Sequence, residues 1–212
     1  MKKYKLIATQ TLTPDMESEL IKALETGDIK VVKTITQTLV PSYTFKRGDY
    51  QGCTPLYTAA ANGRLEVVEF LAAKECVDIN LPMTSGAEEG ITPLYAAVAE
   101  GNLDVVEFLA AQEGININLP MKSGIEEGIT PLYVAVLYRN LEVVEFLAVQ
   151  EGVDINAPMT SGAKEGLTPL YAAAAMGNLD VVELLAAQGE NINLPMTSGA
   201  KEGLTPLYAA AA

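Results

Sequence analysis

Histidine, the usual general base and imidazole metal ligand near neutral pH, is absent from the 212 residues. That excludes Ser-His-Asp and Cys-His nucleophile arrangements and histidine-based metal sites. The two cysteines, Cys53 and Cys76, do not recur where the surrounding text does: the equivalent positions 38 residues on are Ile91 and Gly114. They read as idle thiols of a reducing cytosol rather than a disulfide or a ligand set. Ser-Gly-Ala-Lys-Glu-Gly, at Ser161 and Ser198, has a faint look of a phosphate loop but lacks the spacing and the strand-to-helix setting. Carboxylates are plentiful, in two rows: Glu66, Asp104, Glu142, Asp180 and Glu69, Glu107, Glu145, Glu183. Catalytic acid–base work needs two carboxylates in unequal environments, and repetition supplies equal ones. No catalytic residue, metal or cofactor is therefore assigned, and the expected protein is not an enzyme.

Charge narrows the partners. Lys and Arg number 14 against 27 Asp and Glu, a net −13. Residues 1–50 hold eight basic and six acidic side chains; residues 51–212 hold six and 21, or −15. Such a surface repels phosphate, which argues against nucleic acid and anionic membrane and suits a basic protein partner. No stretch approaches the roughly 20 apolar residues of a membrane span, and Leu6-Ile7-Ala8 is too short for a signal-peptide core.

The elements that carry these residues repeat. Thr-Pro-Leu-Tyr begins at Thr54, Thr92, Thr130, Thr168 and Thr205, in steps of 38, 38, 38 and 37 residues. A fixed period of this size marks a repeat array. In the second copy Thr92 is a helix N-cap and Pro93 takes the first helical position, where a missing N–H costs nothing. Gly101 ends that short helix in a left-handed conformation. Asn102 is expected to cap a second helix, with Asp104 in its first turn and Leu103, Val106 and Leu109 as its apolar face. Gly114 ends it, and Asn116-Ile-Asn-Leu-Pro enters a long turn. Two helices this small cannot bury both faces alone and must stack on their own copies.

The Thr-Pro-Leu-x-x-Ala pattern, the glycine before the second helix, the Val-Val-Glu-x-Leu run and the Asp-Ile-Asn ending closely resemble the ankyrin-repeat family over residues 54–212. The resemblance implies an all-α solenoid of helix-turn-helix units joined by long hairpin-like loops, working as a protein-binding module. Two features depart from the family. Tyr57, Tyr95, Tyr133, Tyr171 and Tyr208 stand where it usually has His, and the repeats exceed its usual length of about 33 residues. One extra residue follows the second helix (Glu113 in copy two); copy four lacks it, reading Gln188-Gly189 where copy three has Gln150-Glu151-Gly152. The expected organisation is an N-terminal extension (1–12), a charged capping helix pair with its loop (13–52), four repeats (53–204) and the start of a fifth (205–212). The chain is expected to be a piece of a longer protein, so an adaptor role in a longer enzyme or effector stays open. Similar ankyrin proteins are injected into host cells by intracellular bacteria, which would fit a cytoplasmic or translocated protein.

Candidate binding residues come from two sources. The loops at 81–90, 119–128, 157–166 and 194–203 repeat Pro-Met, and stacking would align Met83, Met121, Met159 and Met196. Methionine suits adaptable binding surfaces, but each could equally pack on the next loop. The second source is variation against the repeat. Each first helix ends in Ala61/Asn62, Ala99/Glu100, Leu137/Tyr138 or Ala175/Met176, positions that the resemblance places in a concave partner groove. Copy three alone puts Leu137 and Tyr138 there, followed by Arg139 where the others have Gly63, Gly101 and Gly177. Asn62, Glu100, Leu137, Tyr138, Arg139 and Met176 therefore join Met83, Met121 and Met159 as candidates for contact with a protein partner, basic or bearing an apolar anchor.

Overall fold

The computed structural model describes residues 12–37, 42–75, 77–85, 89–122, 127–161, 165–189, 192–196 and 202–211. Most of the expected N-terminal extension, Cys76 and the tips of the long loops lie outside them. Among the described residues eleven α-helices follow one another with no strand. A charged pair, α1 (Pro14–Thr26) and α2 (Ile29–Ile35), comes first. Four similar pairs follow: α3 (Pro55–Ala61) with α4 (Leu65–Ala72), α5 (Pro93–Ala99) with α6 (Leu103–Ala110), α7 (Pro131–Leu137) with α8 (Leu141–Ala148), and α9 (Pro169–Ala175) with α10 (Leu179–Ala187). The last is α11 (Pro206–Ala211).

Each first helix starts as its threonine dictates. The Thr54, Thr92, Thr130 and Thr168 hydroxyls accept the N–H of Tyr57, Tyr95, Tyr133 and Tyr171 at 3.0–3.3 Å. The proline behind each threonine occupies the first turn without losing a bond. The pairs stack in sequence order: α1, α3, α5, α7, α9 and α11 form one row, α2, α4, α6, α8 and α10 the other. Between them runs one continuous apolar core, from Leu20 and Leu24 through Leu56, Leu94, Leu132 and Leu170. Burying each such leucine is worth about 1.5–3 kcal/mol, and part of it comes only from the neighbouring unit.

The apolar face of the second helices is broader than Leu103, Val106 and Leu109 alone. Val105, Val106 and Leu109 are fully buried, whereas Leu103 is half-buried. Val105 is buried as well because α6 packs against α4, α5 and α8, which a single-helix reading does not anticipate.

The long loops close as backbone hairpins. Met83 N–H donates to the Ile91 carbonyl (2.8 Å) and Gly90 N–H to the Met83 carbonyl (2.9 Å). The same pair of bonds forms at Met121 with Ile129 and Gly128, at Met159 with Leu167 and Gly166, and at Met196 with Leu204 and Gly203. Phe45 plays this part after the first helix pair, with Cys53 and Gly52.

The first helix pair is held by polar side chains as well as by Leu20, Ala23 and Leu24. Glu17 is buried and accepts from the Tyr43 hydroxyl (3.2 Å) and the Lys46 N–H (2.6 Å). Tyr50 donates to Glu25. Burial, and then the neighbouring Glu17 or Glu25, pushes the Tyr43 and Tyr50 phenols up to about 12. Lys74, after α4, ties to the end of α2: its ammonium donates to the Thr36 carbonyl at 2.7 Å and lies 5.0 Å from the Phe70 ring centre, with Lys33 at 5.3 Å. Burial lowers the Lys74 pKa.

Candidate functional site

The ends of the four first helices form a row. Asn62, Glu100, Tyr138 and Met176 are their C-caps. Asn62 is half-buried and folds back, its side-chain amide donating to Thr58 O at 2.9 Å. Glu100 is exposed. Leu137 and Met176 are half-buried, and Tyr138 is 54% exposed between them. A large aromatic so exposed at a helix end, among equivalents no larger than Met, is the main irregularity in this row.

The next position in each copy is left-handed: φ is 65° at Gly63, 72° at Gly101, 59° at Arg139 and 65° at Gly177. Arg139 is the one non-glycine with positive φ among the described residues, a strain of roughly 1–2 kcal/mol. Glycine here also makes room. A Cβ on Gly63 would stand 2.7 Å from Asn102 Oδ1, and one on Gly101 3.2 Å from Asn140 Cγ.

Those asparagines do not cap their own helices as expected; neither makes a side-chain cap bond. Each reaches back to the preceding repeat instead. Asn102 Nδ2 donates to Ala60 O and Ala61 O at 3.0 Å, and Asn140 Nδ2 to Val98 O and Ala99 O at 2.8 and 3.1 Å. Arg64 holds the same position in the first repeat, and its Nε donates to Glu25 O at 2.6 Å. The carbonyls at a helix C-terminus lack partners within the helix, so satisfying them from the next unit outweighs a local cap. The sequence carried a sign of this latch in the recurrence of a long polar donor directly after the left-handed glycine.

At the fourth repeat the arrangement changes. Arg139 Cβ occupies the space that glycine leaves elsewhere. Asn178 turns to its own helix, with Oδ1 accepting from Val181 N–H at 3.5 Å. Arg139 Nη2 now donates forward to Met176 O at 2.9 Å. Arg139 is thus exposed but engaged, linking Tyr138's helix end to Met176's.

The loop methionines lie inside the fold. Met83, Met121 and Met159 are 3–5% exposed, held inside by the hairpin bonds described above, and Met83 Sδ lies 3.7 Å from Cys53 Sγ. Met196 is buried likewise. Both carboxylate rows, by contrast, are exposed along the second helices. Among the described residues no cluster of acidic or cysteine side chains is arranged to hold a metal ion, and no helix is long and apolar enough to cross a membrane.

A family model described as ankyrin repeats (3 copies) matches residues 5–83, 74–159 and 157–212. A comparison with curated proteins gave no match. Helix pairs stacked in sequence order, threonine-proline starts, left-handed glycines and hairpin loops coincide with family matches over nearly the whole chain, and the chain therefore belongs to the ankyrin-repeat family.

Proposed function

We propose that this protein binds a partner protein through the row of first-helix ends, with Tyr138 at the centre and Leu137, Met176, Glu100 and Asn62 around it. Ankyrin repeats are in general protein–protein interaction modules. The observation that carries the assignment is Tyr138: 54% exposed, where the other copies have Asn, Glu or Met. An exposed aromatic beside two half-buried apolar side chains matches the composition of interface centres. Arg139 contributes less than its charge suggests, because one face of its guanidinium is bound to Met176 O. The exposed carboxylates on the second helices favour a partner with a basic surface around an apolar anchor, through steering more than affinity.

The test is peptide selection. A random peptide library is panned on the immobilised protein, and affinities of the selected peptides are measured on wild type and on Tyr138→Ala. Tyr138 is a surface residue, so the substitution should leave the melting temperature within a few degrees. Affinity should fall by about 2 kcal/mol, roughly 30-fold, if Tyr138 is the anchor. Peptides that bind both proteins equally would remove the assignment. Selection of Lys/Arg-rich peptides that respond only to Glu107→Lys or Glu145→Lys would move the site to the second helices.

A further inference from the structure

Two independent ladders of side-chain bonds fasten one repeat to the next, and both change at the same junction. The first is the latch already described: Arg64, Asn102 and Asn140 each donate back to carbonyls at the end of the preceding first helix. Between the third and fourth repeats it is replaced by one bond of opposite direction, from the exposed Arg139 to Met176 O, on a left-handed non-glycine backbone.

The second ladder runs along the loop bases. Asn80 Nδ2 donates to Gly114 O (2.8 Å) while its Oδ1 accepts from Asn116 N–H (2.8 Å). Asn118 repeats this with Gly152 O (2.6 Å) and Asp154 N–H (2.9 Å). Asn156 is the next rung, and its Oδ1 is buried without a partner. In the sequence the residue equivalent to Glu113 and Glu151 is missing before Gly189, in the stretch that corresponds to the partners of Asn80 and Asn118. A stranded buried acceptor raises the energy of the closed state.

We infer that the junction between the third and fourth repeats is the seam at which this array opens, with α9–α10 separating from α7–α8 while the units before it stay stacked. Near-neighbour coupling holds a repeat array together, so altered bonds at both edges of one interface lower the free energy of opening there relative to the repeat junctions before it. Tyr138 and Met176 lie on opposite sides of the seam. A partner covering both would close it, a corollary that rests on the proposed function; the seam itself does not.

Hydrogen exchange read by mass spectrometry on the free protein decides the matter, because it reports local opening unit by unit. Peptides from α9 and α10 should exchange together and faster than those from α5–α8. Ordinary fraying at a chain end would give the same pattern, so the variants discriminate. Arg139→Gly removes the left-handed strain and reopens the space for Asn178 to latch, and should slow exchange in α9 and α10 roughly fivefold, leaving α3–α6 unchanged. Inserting Glu between Gln188 and Gly189 should act in the same direction by restoring the Asn156 rung. Asn140→Ala should create a second seam, with α7 to α10 opening together about tenfold more often. Unchanged exchange in α9 and α10 on both repairs would overturn the inference and leave simple end fraying.

Discussion

Tyr133 stands in the third repeat where Tyr57, Tyr95 and Tyr171 stand in theirs, yet it alone among the described tyrosines has a buried hydroxyl with no hydrogen-bond partner. The side chain is 1% exposed, and burial drives its pKa well above that of an ordinary phenol. Leaving such a group unpaired costs about 1–3 kcal/mol. Tyr133→Phe deletes the oxygen and leaves a hole smaller than a water molecule, a cavity penalty below about 0.5 kcal/mol at 24 cal/mol per Å³. The difference predicts a variant about 1–2 kcal/mol more stable than wild type. Urea unfolding followed by circular dichroism measures it, with Tyr95→Phe and Tyr171→Phe as controls, since neither hydroxyl is stranded in the core. The comparison uses the midpoint at fixed m, because a changed m would mean that the array no longer unfolds as one unit. A Tyr133→Phe protein destabilised by more than about 0.5 kcal/mol would refute the reasoning, showing that a buried water or a shifted neighbour satisfies the hydroxyl in solution.

Two further outcomes follow from the ends of the stack. Tyr43 and Tyr50 keep their protons to about 12 in the folded cap, so their contribution is complete below the unfolded value near 10 and is lost as pH rises from about 10 to 12; thermal melts should show the cap loosening over that window, less so in Tyr43→Phe, and stay flat between pH 6 and 8, where no histidine titrates. At the other end Leu207 and Tyr208 are 66% and 56% exposed, against 1% and 3% for the equivalent Leu170 and Tyr171. Fusing a repeat with a polar outer face after residue 212 should bury them and raise stability, Leu207 alone giving about 1–2 kcal/mol; an unchanged melting temperature would mean that α11 does not present a stacking face.

The sequence determined what is decided within a few residues. Each Thr-Pro pair fixes a helix start because the capping hydroxyl and the proline ring act on the turn they sit in. Gly63, Gly101 and Gly177 fix left-handed ends for the same local reason. The 38-residue period then fixes the architecture, since equal units with two apolar faces have one way to bury them. Tertiary structure decided every case in which a side chain chose between a local and a neighbouring partner. Asn102 and Asn140 give up their own helix starts for the carbonyls of the previous repeat, a choice that spacing within one unit does not contain. Met83, Met121 and Met159 turn inward because the hairpin places them against the core. Arg139 stood in the sequence as a candidate contact residue where the other copies have glycine; its guanidinium donates to Met176 O, one repeat on, while Asn178 bonds to its own helix. Local text sets conformation, but the partner of a long polar side chain is set by what stands one repeat away.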